Sequence, residues 1–240
     1  MPETVKRVTR EHTIGPERRY RVREPVQEVD LCEMFVVETI NFRTPIICTP
    51  EDANPATFRE REETGPIYVN GVEPGDVLGI HIEGIEPVGH ASGGWWETPD
   101  VNAFLEIAEG RLHFPGGLWA PLQMMIGDIY VTPRQADTPN PWDNGGNMDF
   151  KDVSMGNVLC LKAQLQGGLL VLGDAHAVQG DGEILGLGAE CAADVTLRIT
   201  REERFLSERP LLHTPKGVLA LSSRFDYGQS RYLTAKHVSR

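Results

Sequence analysis

Val77-Leu78-Gly79-Ile80-His81-Ile82-Glu83-Gly84-Ile85 is the stretch on which the fold class turns. Leu78, Ile80, Ile82 and Gly84 fall on one face of an extended chain, and Val77, Gly79, His81 and Glu83 on the other. That period of two is the mark of a half-buried β-strand. Just upstream, Ile67-Tyr68-Val69 runs into Asn70-Gly71, the dipeptide of tight hairpins, and Glu73-Pro74-Gly75-Asp76 makes a second turn. The stretch therefore reads as the second arm of a hairpin.

Residues 153–161 echo it. Val72-Glu73-Pro74-Gly75-Asp76-Val77-Leu78-Gly79-Ile80 and Val153-Ser154-Met155-Gly156-Asn157-Val158-Leu159-Cys160-Leu161 share the pattern V-x-x-G-[D/N]-V-L-x-[I/L]. Either two turn-then-strand units look alike by chance, or the chain holds two halves of a duplicated β structure.

Further strands are expected at Leu31 to Ile40, Thr44 to Pro50, Asp128 to Pro133, Leu169 to Gly173 and Ala193 to Thr200. Glu51 to Thr64 has room for one short helix, and Val101 to Ala108 for one or two helical turns. Residues 87 to 120 read as irregular, and Arg134 to Gly146 as a long loop of the kind that is usually functional or disordered. The expected fold is mainly β: a β-sandwich with long irregular crossover loops and few short helices. One domain over 1–240 is expected, with a polar N-terminal arm (1–30) and a surface-wrapping tail (205–240). The basic cluster Arg18 to Arg23 reads as part of a solvated arm.

Composition narrows the function. Of 240 residues, 23 are Lys or Arg and 35 are Asp or Glu, giving a net charge of −12. A basic face for nucleic acid or anionic membrane is therefore not expected. Met1 to Arg7 lacks an apolar signal core, and no run approaches the roughly 18 apolar residues of a membrane helix. Cys32, Cys48, Cys160 and Cys191 form no CxxC pair. They read as reduced thiols in a cytoplasmic protein, with Cys160 and Cys191 inert in apolar strands. No Gly-x-Ser-x-Gly elbow and no phosphate-binding Gly-rich loop occurs.

The densest chemistry lies in Gly173-Asp174-Ala175-His176-Ala177-Val178-Gln179-Gly180-Asp181-Gly182-Glu183. Asp174 and His176, two apart, project from one face of an extended chain, so a carboxylate and an imidazole can meet one ion. Asp181 and Glu183 repeat the spacing, although Asp181-Gly182 is also a plain turn signal. Asp143-Asn144-Gly145-Gly146-Asn147-Met148-Asp149 offers amides and carboxylates for a small polar ligand. Glu38 is a carboxylate inside an apolar strand and needs a partner.

Gly65 to Asp76, Gly145 to Asp149 and Gly173 to Glu183 together resemble the acetamidase/formamidase family, in the family's order. Pro121 to Pro133 and Glu190-Cys191 also fit. The resemblance implies a β-sandwich hydrolase of short carboxamides, metal-dependent and dimeric. Carried over residue by residue, it implies a metal or catalytic pair in Asp174 and His176 and a general acid–base in Glu183. It implies substrate contacts from Asn147, Asp149 and Glu38. Zinc is the first choice of cofactor; mixed oxygen and nitrogen ligands also admit manganese or iron, and an all-oxygen neighbour site admits calcium. Two positions depart from the family: Asn144 stands where a histidine is usual and Asn41 where an aspartate is usual. The rival readings are the same fold acting on a larger amide or carbamate, and an inactive member that binds a small ligand.

Overall fold

The structure is a computed structural model, and it describes residues 5–15, 17, 19–41, 46–53, 63–95, 98–136, 138–203 and 208–238. Its strands are β1 (Lys6–Val8), β2 (Thr13–Ile14), β3 (Gln27–Asp30), β4 (Met34–Glu38), β5 (Glu63–Asn70) and β6 (Val77–Trp95). They continue with β7 (Thr98–Ala108), β8 (Arg111–His113), β9 (Trp119–Pro121), β10 (Met125–Val131) and β11 (Gly145–Asn147). The last are β12 (Val158–Lys162), β13 (Leu170–His176), β14 (Glu190–Arg201), β15 (Leu211–Thr214) and β16 (Gly217–Ala220), followed by the helix α1 (Tyr227–Val238). The fold is mainly β, as expected.

Most pairings are antiparallel and form one network running β11-β10-β13-β14-β6-β12-β15-β16. Among the described residues, β1 pairs parallel with β4 and β3 parallel with β5. Strand β14 shows how sequence becomes packing. Val195, Leu197 and Ile199 are buried, whereas Asp194, Thr196 and Arg198 between them are not. Strands β10 and β13 are buried along their whole length, so both their faces are covered. Their side chains meet those of β4, β5, β6, β12 and β14 in one core, with Phe35, Ile67, Ile80, Ile129, Leu159 and Leu172 fully enclosed.

The repeated motif is physical. Strands β6 and β12 pair antiparallel about Gly79 and Cys160, with Val77 opposite Lys162 and His81 opposite Val158. The hydrogen bonds repeat under a local two-fold. Ala163 N donates to Asp76 O (2.8 Å) as Ile82 N donates to Asn157 O (3.1 Å). Gly75 N donates to Ala163 O (2.8 Å) as Gly156 N donates to Ile82 O (2.8 Å). Gly75 and Gly156 have φ of 102° and 86°, a backbone that demands glycine in both copies.

Several expectations change. Asn70-Gly71 makes a turn but no hairpin, because β5 pairs with β2, β3 and β13 and β6 pairs with β7, β12 and β14. Val101 to Ala108 is strand, not helix: the long β6 supplies a ladder, with Gly93 opposite Ala103 and Ala91 opposite Leu105. The irregular region expected from 87 to 120 is thus largely β6 to β9. The arm is no free arm, since it contributes β1, β2 and β3, and the tail holds β15, β16 and α1. Arg18, residues 42–45 and residues 54–62 lie outside the described residues, and with them part of the strand at Thr44 to Pro50 and of the helix at Glu51 to Thr64. Among the described residues, no helix is long and apolar enough to cross a membrane.

Candidate functional site

Strand β13 ends in Asp174-Ala175-His176, and β14 begins with Glu190 directly opposite His176 in the ladder. Cross-strand neighbours share a face, and so do residues two apart. The result is a buried convergence: His176 Nε2 lies 3.4 Å from Asp174 Oδ1 and 3.2 Å from Glu190 Oε2. All three side chains are essentially inaccessible to solvent.

The backbone is bent to achieve this. Asp174 has φ 57°, a left-handed conformation in the middle of a strand, and Asp149 (φ 44°) and Glu183 (φ 41°) share it. Such residues cost of order 1–3 kcal/mol each and cluster at functional sites. Gly127 makes the room. A Cβ there would lie 2.6 Å from Asp149 Oδ1 and 2.9 Å from Asp174 Oδ2, so any side chain would expel these carboxylates.

Hydrogen bonds set the imidazole. His176 Nδ1 lies 2.6 Å from Gln179 Oε1, and Gln179 Nε2 donates to Asp149 O at 2.5 Å. With its amide so oriented, Gln179 offers an acceptor, so Nδ1 carries the proton and Nε2 turns its lone pair to the two carboxylates. A lone pair facing two anions needs a positive charge between them. Burial opposes that charge on the ring, but the adjacent Glu190 and Asp174 outweigh it and hold the His176 pKa well above its ordinary value. Burial also raises Glu190, helped by the Asp174 charge and opposed by His176. Glu190 is fixed further by Gly188 N, which donates to its Oε1 (3.1 Å), and by Asn41 Nδ2, which donates to its backbone oxygen (2.6 Å).

A second group shares the imidazole: the ligand atoms of Asp149, His176 and Glu183 lie within 4.8 Å of one another. Asn147 Nδ2 donates to Asp149 Oδ2 at 2.6 Å. Five of the six residues expected at the site, Asp174, His176, Glu183, Asn147 and Asp149, are therefore drawn together. Glu38 is drawn elsewhere: its carboxylate pairs with Arg7 and Arg10 at 3.0 and 3.1 Å, in a network shared with Asp194. Asp181 serves the turn and pairs with Lys151, exposed to water. Asn144 is buried and donates to Val131 O at 3.1 Å. The two asparagines that depart from the family thus tie down backbone rather than supply the cluster's donors.

The donor set fits a divalent cation. Two carboxylates and an imidazole are proper ligands for zinc, and ligands at about 2.0–2.1 Å around a tetrahedral ion are about 3.3 Å apart. The observed separations of 3.4 and 3.2 Å match that spacing.

Glu190 and Gln179 escape sequence reading. Glu190 heads the apolar run Cys191-Ala192-Ala193, the kind of context that singles out Glu38. Burial pushes the thiols of Cys191 and Cys160 up to about 12, which agrees with their reading as inert. A second buried acid cluster was also missed. Asp128 and Glu63 flank Gly173 in the β10-β13-β5 ladder, and Arg19 ion-pairs with Glu63 and lies 3.9 Å from Asp128. Arg19 is hence no solvated arm residue. Burial, then the charge of Asp128, raises the Glu63 pKa well above the usual carboxylate range.

Residues 128–226 match the model of the acetamidase/formamidase family. A crystallised recombinant predicted acetamidase/formamidase from Thermoanaerobacter tengcongensis superposes with a TM-score of 0.86 at 25% identity, covering 98% of this chain and 82% of that one. Over residues 128–226 the chain resembles the acetamidase/formamidase family, and it shares the fold of that crystallised protein. An acetamidase from Bacillus halodurans superposes with a TM-score of 0.79 at 28% identity, over 96% of this chain and 82% of that one. A formamidase-type protein of Schizosaccharomyces pombe is 34% identical over 99 residues, 40% of this chain. That match spans only 23% of the yeast protein's length. The family match begins at Asp128 and so includes Asn147, Asp149, Asp174, His176, Glu183 and Glu190, but not Glu38 or Asn41.

Proposed function

We propose that this chain hydrolyses small carboxamides, R–CO–NH2 plus water giving R–COOH plus NH3, at a divalent metal site. The observation that carries the reading is the buried convergence of Asp174 Oδ1, Glu190 Oε2 and the His176 Nε2 lone pair. Asp174, His176 and Glu190 would hold the ion, with zinc as the first choice. When bound, it supplies Lewis acidity toward an amide carbonyl and acidifies water.

The chain's own groups do the rest. Gln179 keeps the proton on His176 Nδ1 and so keeps Nε2 a ligand. Glu183, half-buried at the mouth of the site, accepts a proton from the attacking water and returns it to the departing nitrogen as the C–N bond breaks. Such transfer contributes about 10²–10⁴-fold. Asn147 Oδ1 is buried and accepts no hydrogen bond among the described residues, so it is placed to take an amide N–H. Asp149, held by Asn147, adds a carboxylate oxygen at the same site, where a second cation such as calcium has oxygen ligands.

A cytoplasmic homodimer belongs to the proposal; all four cysteines are free, which suits a reducing compartment. Metal analysis of the purified protein with ammonia release over an amide panel tests the reading. Bound metal and ammonia from small amides support it; no ammonia from any amide at saturating zinc, manganese or iron overturns it.

A further inference from the structure

Two glycines and an asparagine make up β11, the strand at one end of the network. Gly145 and Gly146 have φ of 92° and 119°, and glycine backbone holds little order of its own. Asn147, the residue that meets the amide in the proposed reaction, ends this strand. What fixes it comes from outside the strand. Asn147 N donates to Asn140 Oδ1 at 2.6 Å. Between these two, Trp142 and Gly145 exchange backbone hydrogen bonds of 2.9 and 3.1 Å, which close the loop into a tight turn.

The C-terminal tail clamps that turn. Arg224 Nη2 donates to Asp143 Oδ1 at 2.8 Å and to Oδ2 at 2.7 Å, with the arginine side chain only 10% exposed. The same guanidinium lies over the Trp142 ring, 4.1 Å from its centre. Phe225 meets that ring too, with centres 5.9 Å apart. The tail is itself anchored, since Leu221 N donates to Pro210 O at 3.0 Å and β15 pairs with β12. From the turn the hydrogen bonds lead inward. Asn147 Nδ2 donates to Asp149 Oδ2, Asp149 O accepts from Gln179 Nε2, and Gln179 Oε1 meets His176 Nδ1.

We propose that Arg224 is a positioning residue for the amide: through Asp143 and Trp142 it sets the place of Asn147, and with it the affinity for substrate. The inference rests on the amidase reading. Arg209 Nε also lies 3.5 Å from Asp143 Oδ1, and Arg224 adds to that charge a stack on the ring. A lysine supplies the charge but not the flat face.

KM and kcat for acetamide test it. A binding group misplaced by about 1 Å costs up to roughly a hundredfold, so Arg224→Met should raise KM roughly tenfold. Its kcat should stay within about twofold, because the lost contact serves ground state and transition state alike. Arg224→Lys should recover part of the loss. The decisive step is the cycle with Asn147→Ala. If Arg224 acts through Asn147, R224M changes KM by less than about twofold in the N147A background. Amide hydrogen exchange needs no turnover. R224M should speed exchange at Gly145 and Asn147 at least about tenfold and leave Leu172 of β13 unchanged. An unchanged KM in R224M, or a rise that persists in N147A, overturns the inference. Faster exchange, with no ammonia from any amide in the wild type, removes the amidase reading while the clamp on Asn147 stands. If R224M does not fold, which its melting curve shows, Asp143→Asn cuts the same connection and is read the same way.

Discussion

Two buried acid clusters sit beside one strand, and they balance charge in opposite ways. Around Gly173, Glu63 and Asp128 enclose a permanent cation, the Arg19 guanidinium. One residue further on, Asp174 and Glu190 meet the His176 imidazole, with Asp149 and Glu183 close by. The first cluster carries its own counter-charge, while burial and the Asp128 charge raise the Glu63 pKa well above the usual carboxylate range. The second gathers four carboxylates, of Asp149, Asp174, Glu183 and Glu190, about the one imidazole of His176. In the proposed reading the first cluster, with its own arginine, is structural, and the second, with a neutral ligand atom at its centre, recruits a cation.

The comparison breaks most sharply on single substitutions. His176→Ala should cut ammonia release roughly a thousandfold, because loss of a several-kcal/mol Lewis-acid contribution translates to that factor. Its bound metal should fall in step, and its circular dichroism should stay native. Arg19→Met should do the reverse. It strands two buried carboxylates and should lower unfolding free energy in urea by about 3–5 kcal/mol at neutral pH, with metal content retained.

Chelation sharpens the contrast. Removing metal should abolish activity and lower stability by about 2.7 kcal/mol when the ion had been present at a hundred times its dissociation constant, with recovery on adding it back. Glu63→Gln addresses the proton. The Glu63 pKa is raised in the folded state, so its contribution is complete below about 4.5, the unfolded value, and fades as pH climbs through the folded value. The neutral variant should lack that decline, visible as a flatter urea midpoint between pH 5 and pH 8. The smallest effect is expected from Glu38→Gln, in the Arg7–Arg10–Asp194 network at the molecular surface. Its stability should change by at most about 1 kcal/mol and its turnover hardly at all, as assays of both would show.

What was legible in the sequence follows from range. The alternation in β6 and β14 is local, and so is the two-residue step from Asp174 to His176; both survive folding. The repeat at 72–80 and 153–161 is local twice over, and the two copies find each other across Gly79 and Cys160. Glu190 needed knowledge that β14 lies beside the end of β13. Arg19 looked like one more charge in a basic run, because its partners Glu63 and Asp128 are far along the chain. Val101 to Ala108 has apolar residues three and four apart, but the glycines of β6 offered a strand partner, and the ladder prevailed over periodicity.

The central claim is that a cation, not a proton, joins His176 to its two carboxylates. An anomalous-difference map from crystals of the protein as purified, recorded at the zinc edge and above the manganese and iron edges, tests it directly. The account predicts a peak bounded by His176 Nε2, Asp174 and Glu190. An empty map in zinc-soaked crystals, with the imidazole hydrogen-bonded to both acids, would contradict it.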